Sequence, residues 1–371
     1  HITPRASTIL GEVTMATLYV TSTETFSGKS ALCVGIAKRL QREGFAIGYM
    51  KPVSSGLRLG AGQVDEDAEY VKQTFDLPDA LDDMAPIGIG PRAVDEILRG
   101  EAQVDYTAKL MAAYRRVSEG RDVIVLEGGA NLREGYLIGL PTPEVARTLG
   151  TSAVVIIKYK DDLQVLDDAL TSRKRLGDLL VGVVLNGIPR QRMRFVQESV
   201  KPGLEARGVP VLAVLPQERL LLSVSVGDLR EFLSGKVLCC PDKMDELVEH
   251  LMVGAMSVDS ALSYFRRKPN KAVITGGDRP DIQLAALETS TKCLILTGNL
   301  RPSPIIVARA EEVGVPMILV RQDTLTAVEV IEHFFGKTRF HLEKKVQRFE
   351  EMLEDRFDFE RLYQALKLHS K

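Results

Sequence analysis

The segment Ser22-Thr23-Glu24-Thr25-Phe26-Ser27-Gly28-Lys29-Ser30 lies between an apolar run that starts at Thr17 and a stretch whose apolar residues recur at helical spacing. Phosphate capture needs inward-turned backbone N–H groups, a helix N-terminus behind them, a lysine for the outer phosphates and a hydroxyl for a divalent cation. Thr25, Ser27 and Gly28 furnish the loop, Lys29 the ammonium and Ser30 the hydroxyl, which together suit ATP with Mg2+. The common form of this loop has a glycine where this chain has Thr23, and the loop is therefore expected to be wider or stiffer.

Carboxylates follow at positions that fit the same chemistry. The apolar run 122–126 ends in Glu127-Gly128-Gly129-Ala130, which puts one carboxylate at the carboxyl edge of a sheet, where open α/β folds bind ligands. Magnesium takes few carboxylates together with phosphate oxygens, directly or through water. The group Asp65-Glu66-Asp67 precedes a helix-like segment and, taken alone, reads as capping and compensation of the helix dipole. Lys51-Pro52-Val53-Ser54-Ser55-Gly56 sets a lysine and two hydroxyls after the second strand, an arrangement suited to an anionic substrate.

The elements that must position these residues are legible in the apolar pattern. Short Val- and Ile-rich runs at 17–21, 46–50, 123–126, 153–157, 182–185 and 211–215 alternate with longer segments of helical period, which predicts α/β architecture with a parallel sheet flanked by helices. A helix is expected over 30–43, stopped by Gly44. The pattern weakens at Ser223–Gly227, the expected boundary, and a smaller α/β series follows. It has a helix at 242–250, a strand at 271–275, a helix at 281–288, a strand at 293–296, a helix at 303–313 and a strand at 317–320. In that series Gly276-Gly277 makes a turn at a strand end, with Asp278 and Arg279 opening the next helix, a place for an anion or nucleotide or simply a capped turn. The reading assigns a leader or tag to 1–14, the phosphate-loop domain to 15–222, the smaller domain to 223–340 and an amphipathic helical tail to 341–371.

With 50 acidic against 48 basic residues the chain has no global field to draw it to nucleic acid or an anionic membrane. Its longest apolar runs are strand-sized, so no membrane span is expected. The opening residues lack the apolar core of a secretory signal, and Cys33, Cys239, Cys240 and Cys293 show no C-x-x-C pairing, which favours reduced thiols in a cytoplasmic protein.

Together these pieces resemble dethiobiotin synthetase and its relatives, including the cobyrinic acid a,c-diamide synthase type, over roughly Met15 to Asp228. The resemblance implies phosphate binding by Lys29, magnesium binding by Ser30, Asp67 and Glu127, and adenine recognition by Asn186 in Leu185-Asn186-Gly187. It also implies substrate contact by Lys51 and Ser55, and a homodimer. Thr275-Gly276-Gly277-Asp278-Arg279-Pro280 makes the second half similar to the DRTGG domain, and the two domains in this order resemble the amino-terminal region of the long form of phosphate acetyltransferase. Three functions then compete. The favoured one is an ATP-binding regulatory or sensor protein whose rear domain responds to a small-molecule metabolite. The second is an ATP-dependent carbon–nitrogen ligase in which Lys29 and Lys51 neutralise developing charge. The third, an interaction module without nucleotide affinity, is disfavoured by the joint presence of Lys29, Ser30 and Glu127.

Overall fold

The computed structural model describes residues 15–54, 65–101, 103–334 and 342–368. The chain forms two compact units: His1–Gln217 together with Phe349–Lys371, and Glu218–Arg348. Within the described residues no helix is long and apolar enough to cross a membrane.

The first unit is built on a six-stranded sheet, all parallel. Its strands run in the order Ile47–Met50, Val123–Glu127, Ala16–Ser22, Ser152–Lys158, Leu180–Ile188, Val211–Pro216. All of Ala16–Ser22 is buried, as expected of a central strand covered on both faces and written as a continuous apolar run. The chain first moves to one side of this strand and later to the other, and ligands bind at the carboxyl edge of such a switch point. The expected α/β class and its strand runs are present, each within a residue or two of the expected ends except the expected 182–185, which extends to Leu180–Ile188.

The helix Lys29–Arg42 is buried all round from Ala31 to Ala37 and again at Leu40, and carries Arg39 and Arg42 in its last turn, where cations complement the helix dipole. Gly35 in its middle carries no side chain for a packing reason. A Cβ there would stand 2.5 Å from a Leu353 methyl, and so the helix Glu343–Arg356 lies close against it over Phe349 and Leu353. Lys38 pairs with Glu350 at 2.6 Å and Arg39 with Glu354 at 2.6 Å along the same seam. The following helix, Phe359–Leu366, is seated by the Asp358 N–H donating to the Leu212 carbonyl at 2.9 Å. The apolar residues Phe349, Met352, Leu353, Phe357, Leu362 and Leu366 of the expected amphipathic tail are thus buried.

The second unit has a five-stranded sheet in the order Lys236–Cys239, Met317–Leu319, Thr291–Thr297, Lys271–Gly276, His250–Val253, with Lys236–Cys239 antiparallel to its neighbour and the rest parallel. One expectation fails here. The segment 242–250 is not a helix but a short turn, Pro241–Lys243, and two short strands, Leu247–Val248 and His250–Val253. Leu247 and Val248 pair with Ser225 and Val224, and Glu249 N–H donates to the Asn270 carbonyl at 2.8 Å, so tertiary pairing overrides a local pattern that favoured helix. The Ser223–Gly227 stretch is correspondingly ordered: Ser225 closes a capping box with Asp228 at the start of Val226–Phe232.

Because Leu353 is 1% exposed and fills the space left by Gly35, Leu353→Ala is expected to cost about 2–5 kcal/mol, measured as a lowered urea midpoint for the transition of the first unit. An unchanged midpoint would show that the carboxyl-terminal helices do not stabilise that unit.

Candidate functional site

At the carboxyl edge of the first sheet the loop from Ser22 meets the helix that begins at Lys29. Gly28 sits in the left-handed region at φ 96, and a Cβ on it would fall 2.7 Å from the Asn186 amide nitrogen. That nitrogen donates to the Ser27 carbonyl at 2.8 Å and so ties the loop to the Leu180–Ile188 strand. The Thr21, Thr23 and Ser27 hydroxyls around the loop are buried and have no partner among the described residues. Such a hydroxyl costs on the order of 1–3 kcal/mol when left unsatisfied, which marks the loop as a cradle shaped for further donors and acceptors. Gly128 is part of the same fit, because a Cβ there would meet the Thr21 hydroxyl at 2.6 Å. Thr25, by contrast, is exposed at the tip of the loop.

Glu127 ends its strand fully buried and accepts three hydrogen bonds: from Lys29 Nζ at 3.0 Å, from Ser30 Oγ at 2.7 Å and from the Tyr49 hydroxyl at 2.8 Å. Burial works most strongly against the Lys29 charge, but Glu127 and Asp67 together with Cys33 outweigh it and raise the ammonium pKa above its ordinary value. Burial, reinforced by the same carboxylate, pushes the Tyr49 phenol well above its usual range, and this hydroxyl therefore remains a donor. A second cluster adjoins the first. Lys51, almost fully buried, bonds Asp67 at 2.7 Å and Asp65 at 2.9 Å. Burial opposes its charge too, and Asp67, Glu127 and Asp65 more than compensate, so Lys51 is held protonated beyond the normal lysine range. Asp65 also accepts from the N–H groups of Asp67 and Ala68, capping the helix Glu66–Phe75, and from the Ser54 hydroxyl. Three carboxylates, Glu127, Asp65 and Asp67, face two ammonium groups, Lys29 and Lys51, an excess of one negative charge. Among the described residues, however, no group of three or more His, Cys, Asp or Glu side chains is gathered closely enough to hold a metal ion by itself.

Of the residues singled out by sequence, Ser27, Gly28, Lys29, Ser30, Glu127 and Asn186 are gathered at one loop, and Lys51 and Asp67 are joined to each other beside it. Ser55 lies outside the described residues. Sequence reasoning missed Tyr49, Thr21 and the buried hydroxyl of Thr23. Tyr49 reads as one more apolar strand residue, and only the pairing of Ile47–Met50 with Val123–Glu127 aims its hydroxyl at a carboxylate. Asp65 was visible, but its pairing with Lys51 had no linear signal.

In the second unit the Gly276–Arg279 turn follows Lys271–Gly276. A Cβ on Gly277 would lie 1.6 Å from the Leu300 carbonyl oxygen, so glycine is needed for two chain segments to touch. The Arg279 guanidinium is engaged by Asp281 at 3.0 Å and donates to the Met256 carbonyl at 3.2 Å. Buried Gln283 donates to the Gly276 carbonyl at 2.8 Å and fixes the turn from beneath.

The architecture is that of a P-loop α/β protein with a second, smaller α/β unit. Residues 16–225, more than half of the chain, match the AAA domain, and the chain belongs to this family. Residues 228–334 match the DRTGG domain. The chain is similar to the phosphate acetyltransferase of Synechocystis sp., 28% identical over 316 residues that cover 81% of this chain and 44% of that protein. It is similar as well to the ATP-dependent dethiobiotin synthetase of Methanococcus vannielii, 22% identical over 214 residues, 54% of this chain and 94% of that one. Among solved structures, a ParA family ATPase from Chlorobium tepidum is 15% identical over 55% of this chain and 85% of its own, with a TM-score of 0.33. The chain spans just under half the length of the phosphate acetyltransferase of Synechocystis. The resemblance to a dethiobiotin synthetase-like domain followed by a DRTGG domain holds at the level of families.

Lys51→Met would leave Asp65 and Asp67 without their cation, and removing one partner of such a buried pair is expected to cost about 3–5 kcal/mol at neutral pH. The Lys51 pKa is higher in the folded than in the unfolded state. Its contribution is therefore fully present below the unfolded value, about 10.4, and is lost as pH rises through the folded value. Urea midpoints from pH 7 upward should show the wild type losing its advantage over the variant only in the alkaline limb. A constant difference across that limb would overturn the assignment.

Proposed function

We propose that the first unit binds a magnesium nucleotide, ATP, and that the protein is a nucleotide-dependent regulator whose DRTGG domain senses a metabolite. The observation that carries this reading is the buried Glu127 carboxylate holding Lys29 and Ser30 at the mouth of a loop with three unpartnered buried hydroxyls. In this reading Lys29 engages the outer phosphates, and Ser30 and Glu127, with Asp67 beside them, hold the magnesium, which when bound neutralises phosphate charge. Thr21, Thr23 and Ser27 supply the polar lining that phosphate oxygens would satisfy. A backbone cradle depends on conformation more than on side chains, which is why Thr23 in place of glycine is compatible with binding.

Regulation is favoured over ligation because Lys51, the residue that would contact substrate in a ligase, is already committed to two carboxylates. The likeness to an ATP-dependent dethiobiotin synthetase over 94% of that protein supports an ATP-dependent ligase as the second reading.

Calorimetric titration of the intact protein with magnesium and ATP is expected to show saturable binding, weakened at least about tenfold in Lys29→Ala, the scale of one hydrogen bond to a charged group. Phosphate release measured in parallel should stay negligible. Release stimulated by added carboxylates would move the assignment to the ligase, and absence of binding would overturn both.

Asn186 has two tasks in this reading, loop anchoring through Ser27 and contact with the adenine. Asn186→Ala should therefore weaken ATP binding and also narrow the preference for ATP over GTP. Equal losses for the two nucleotides would leave only the anchoring role.

A further inference from the structure

Away from the phosphate loop, the second unit contains a cleft of about 610 Å3 whose lining includes Lys236, Asn299, Arg301, Arg321 and Gln322. Its three cations come from three separate elements. Lys236 opens the antiparallel edge strand, Arg301 follows the strand Thr291–Thr297, and Arg321 follows Met317–Leu319. The edge strand runs opposite to its neighbours, which brings its beginning to the edge where the parallel strands end. All three side chains are exposed, and none makes an ion pair among the described residues. Like charges converging without a counter-ion repel one another, and a site that keeps them together is suited to an anion.

The backbone around the cleft is held in conformations that are uncommon without a reason. Ser234 and Asn299, both in its wall, have φ of 48 and 55, the left-handed region that costs most residues energy. Asn299 and Gly298 are fixed there by donating their N–H groups to the Val320 and Gln322 carbonyls at 2.8 Å each. Gly277 contributes from the neighbouring turn. Having no side chain, it lets the Gly276–Arg279 turn lie against the Leu300 carbonyl, between Asn299 and Arg301. The glycine pair thus positions the cleft wall, while Arg279 is spent on Asp281 and Met256. One further residue of the lining carries an unsatisfied polar atom. Gln322 donates through Nε2 to the Leu233 carbonyl at 3.1 Å, which aims its Oε1 as an acceptor; that oxygen is buried and unpartnered among the described residues.

We propose that this cleft is an anion site for a small phosphorylated metabolite: Lys236, Arg301 and Arg321 take the phosphate, and the Gln322 carbonyl oxygen accepts from a hydroxyl or amino group of the same molecule. The volume suits a sugar phosphate or nucleoside monophosphate, within the few hundred to about 1,000 Å3 typical of small-molecule sites. The site deepens the sensor reading given above by naming where the DRTGG unit takes its ligand and of what class. It does not depend on nucleotide binding at Lys29.

The test uses the full chain and calorimetric titration with pyrophosphate, ribose 5-phosphate and ribose. The proteins are the wild type, Lys29→Ala and the double variant Arg301→Ser with Arg321→Ser. The two arginines are exposed, so the double variant should keep the wild-type unfolding midpoint. The expected result is ribose 5-phosphate binding that is lost at least about tenfold in the double variant, kept in Lys29→Ala, absent for ribose and weakened by salt. Gln322→Leu, which keeps the charge and removes the acceptor, should weaken ribose 5-phosphate more than pyrophosphate. Binding that survives the double variant, binding lost only in Lys29→Ala, or no binding of either phosphate to the wild type would each overturn the proposal. Magnesium–ATP titration of the double variant reports separately on the first unit, which keeps the two sites distinguishable.

Discussion

A carboxylate placed with no exposure at the end of a central strand constrains everything around it. Left alone, the Glu127 charge would be strongly disfavoured, and the fold answers by directing three donors at it from two elements: the helix start at Lys29 and Ser30, and the strand at Tyr49. The helix can begin there because Gly28 adopts a left-handed backbone against Asn186. The Gly128 position is similarly closed to side chains by Thr21. The phosphate-loop region is thus one interlocked unit, and a change at any of these points is felt through the same buried charge.

The neighbouring Lys51 cluster shows the same logic with the opposite sign at its centre. A buried ammonium is satisfied by Asp67 and Asp65, and Asp65 simultaneously caps a helix and accepts from Ser54. One residue thereby serves local helix formation and long-range charge balance. Capping alone explained Asp65 from sequence, because the capping partners are two and three residues away, whereas Lys51 stands far outside the helix start in the chain. The clusters sense each other, since Glu127 contributes to holding Lys51 charged and Asp67 does so for Lys29.

The second unit also gathers polar groups at a sheet edge, with different means. Where the first unit presents a buried carboxylate and a phosphate loop, the second gathers basic side chains that make no ion pair among the described residues, at the end where an antiparallel edge strand begins and parallel strands finish. The glycine pair that attracted attention in the sequence turns out to serve close approach of two backbone segments, with Leu300 filling the space a side chain would need. Glycine marks tight geometry, and tight geometry marks a site only when the groups around it are free to act.

The sequence by itself determined the α/β class and the order of strands and helices in the first unit, which depend on short-range spacing and on the apolar period, while the family of each half and the grouping of Lys29, Ser30 and Glu127 came from the resemblance its motifs carry. Only the tertiary structure decided that Tyr49 completes the Glu127 site, that Lys51 is held by Asp65 and Asp67, that 242–250 pairs as strands, and that the tail covers Gly35. Each of those rests on contact between segments far apart in the chain, where local propensity carries no information and the neighbour across the sheet or along the helix seam decides.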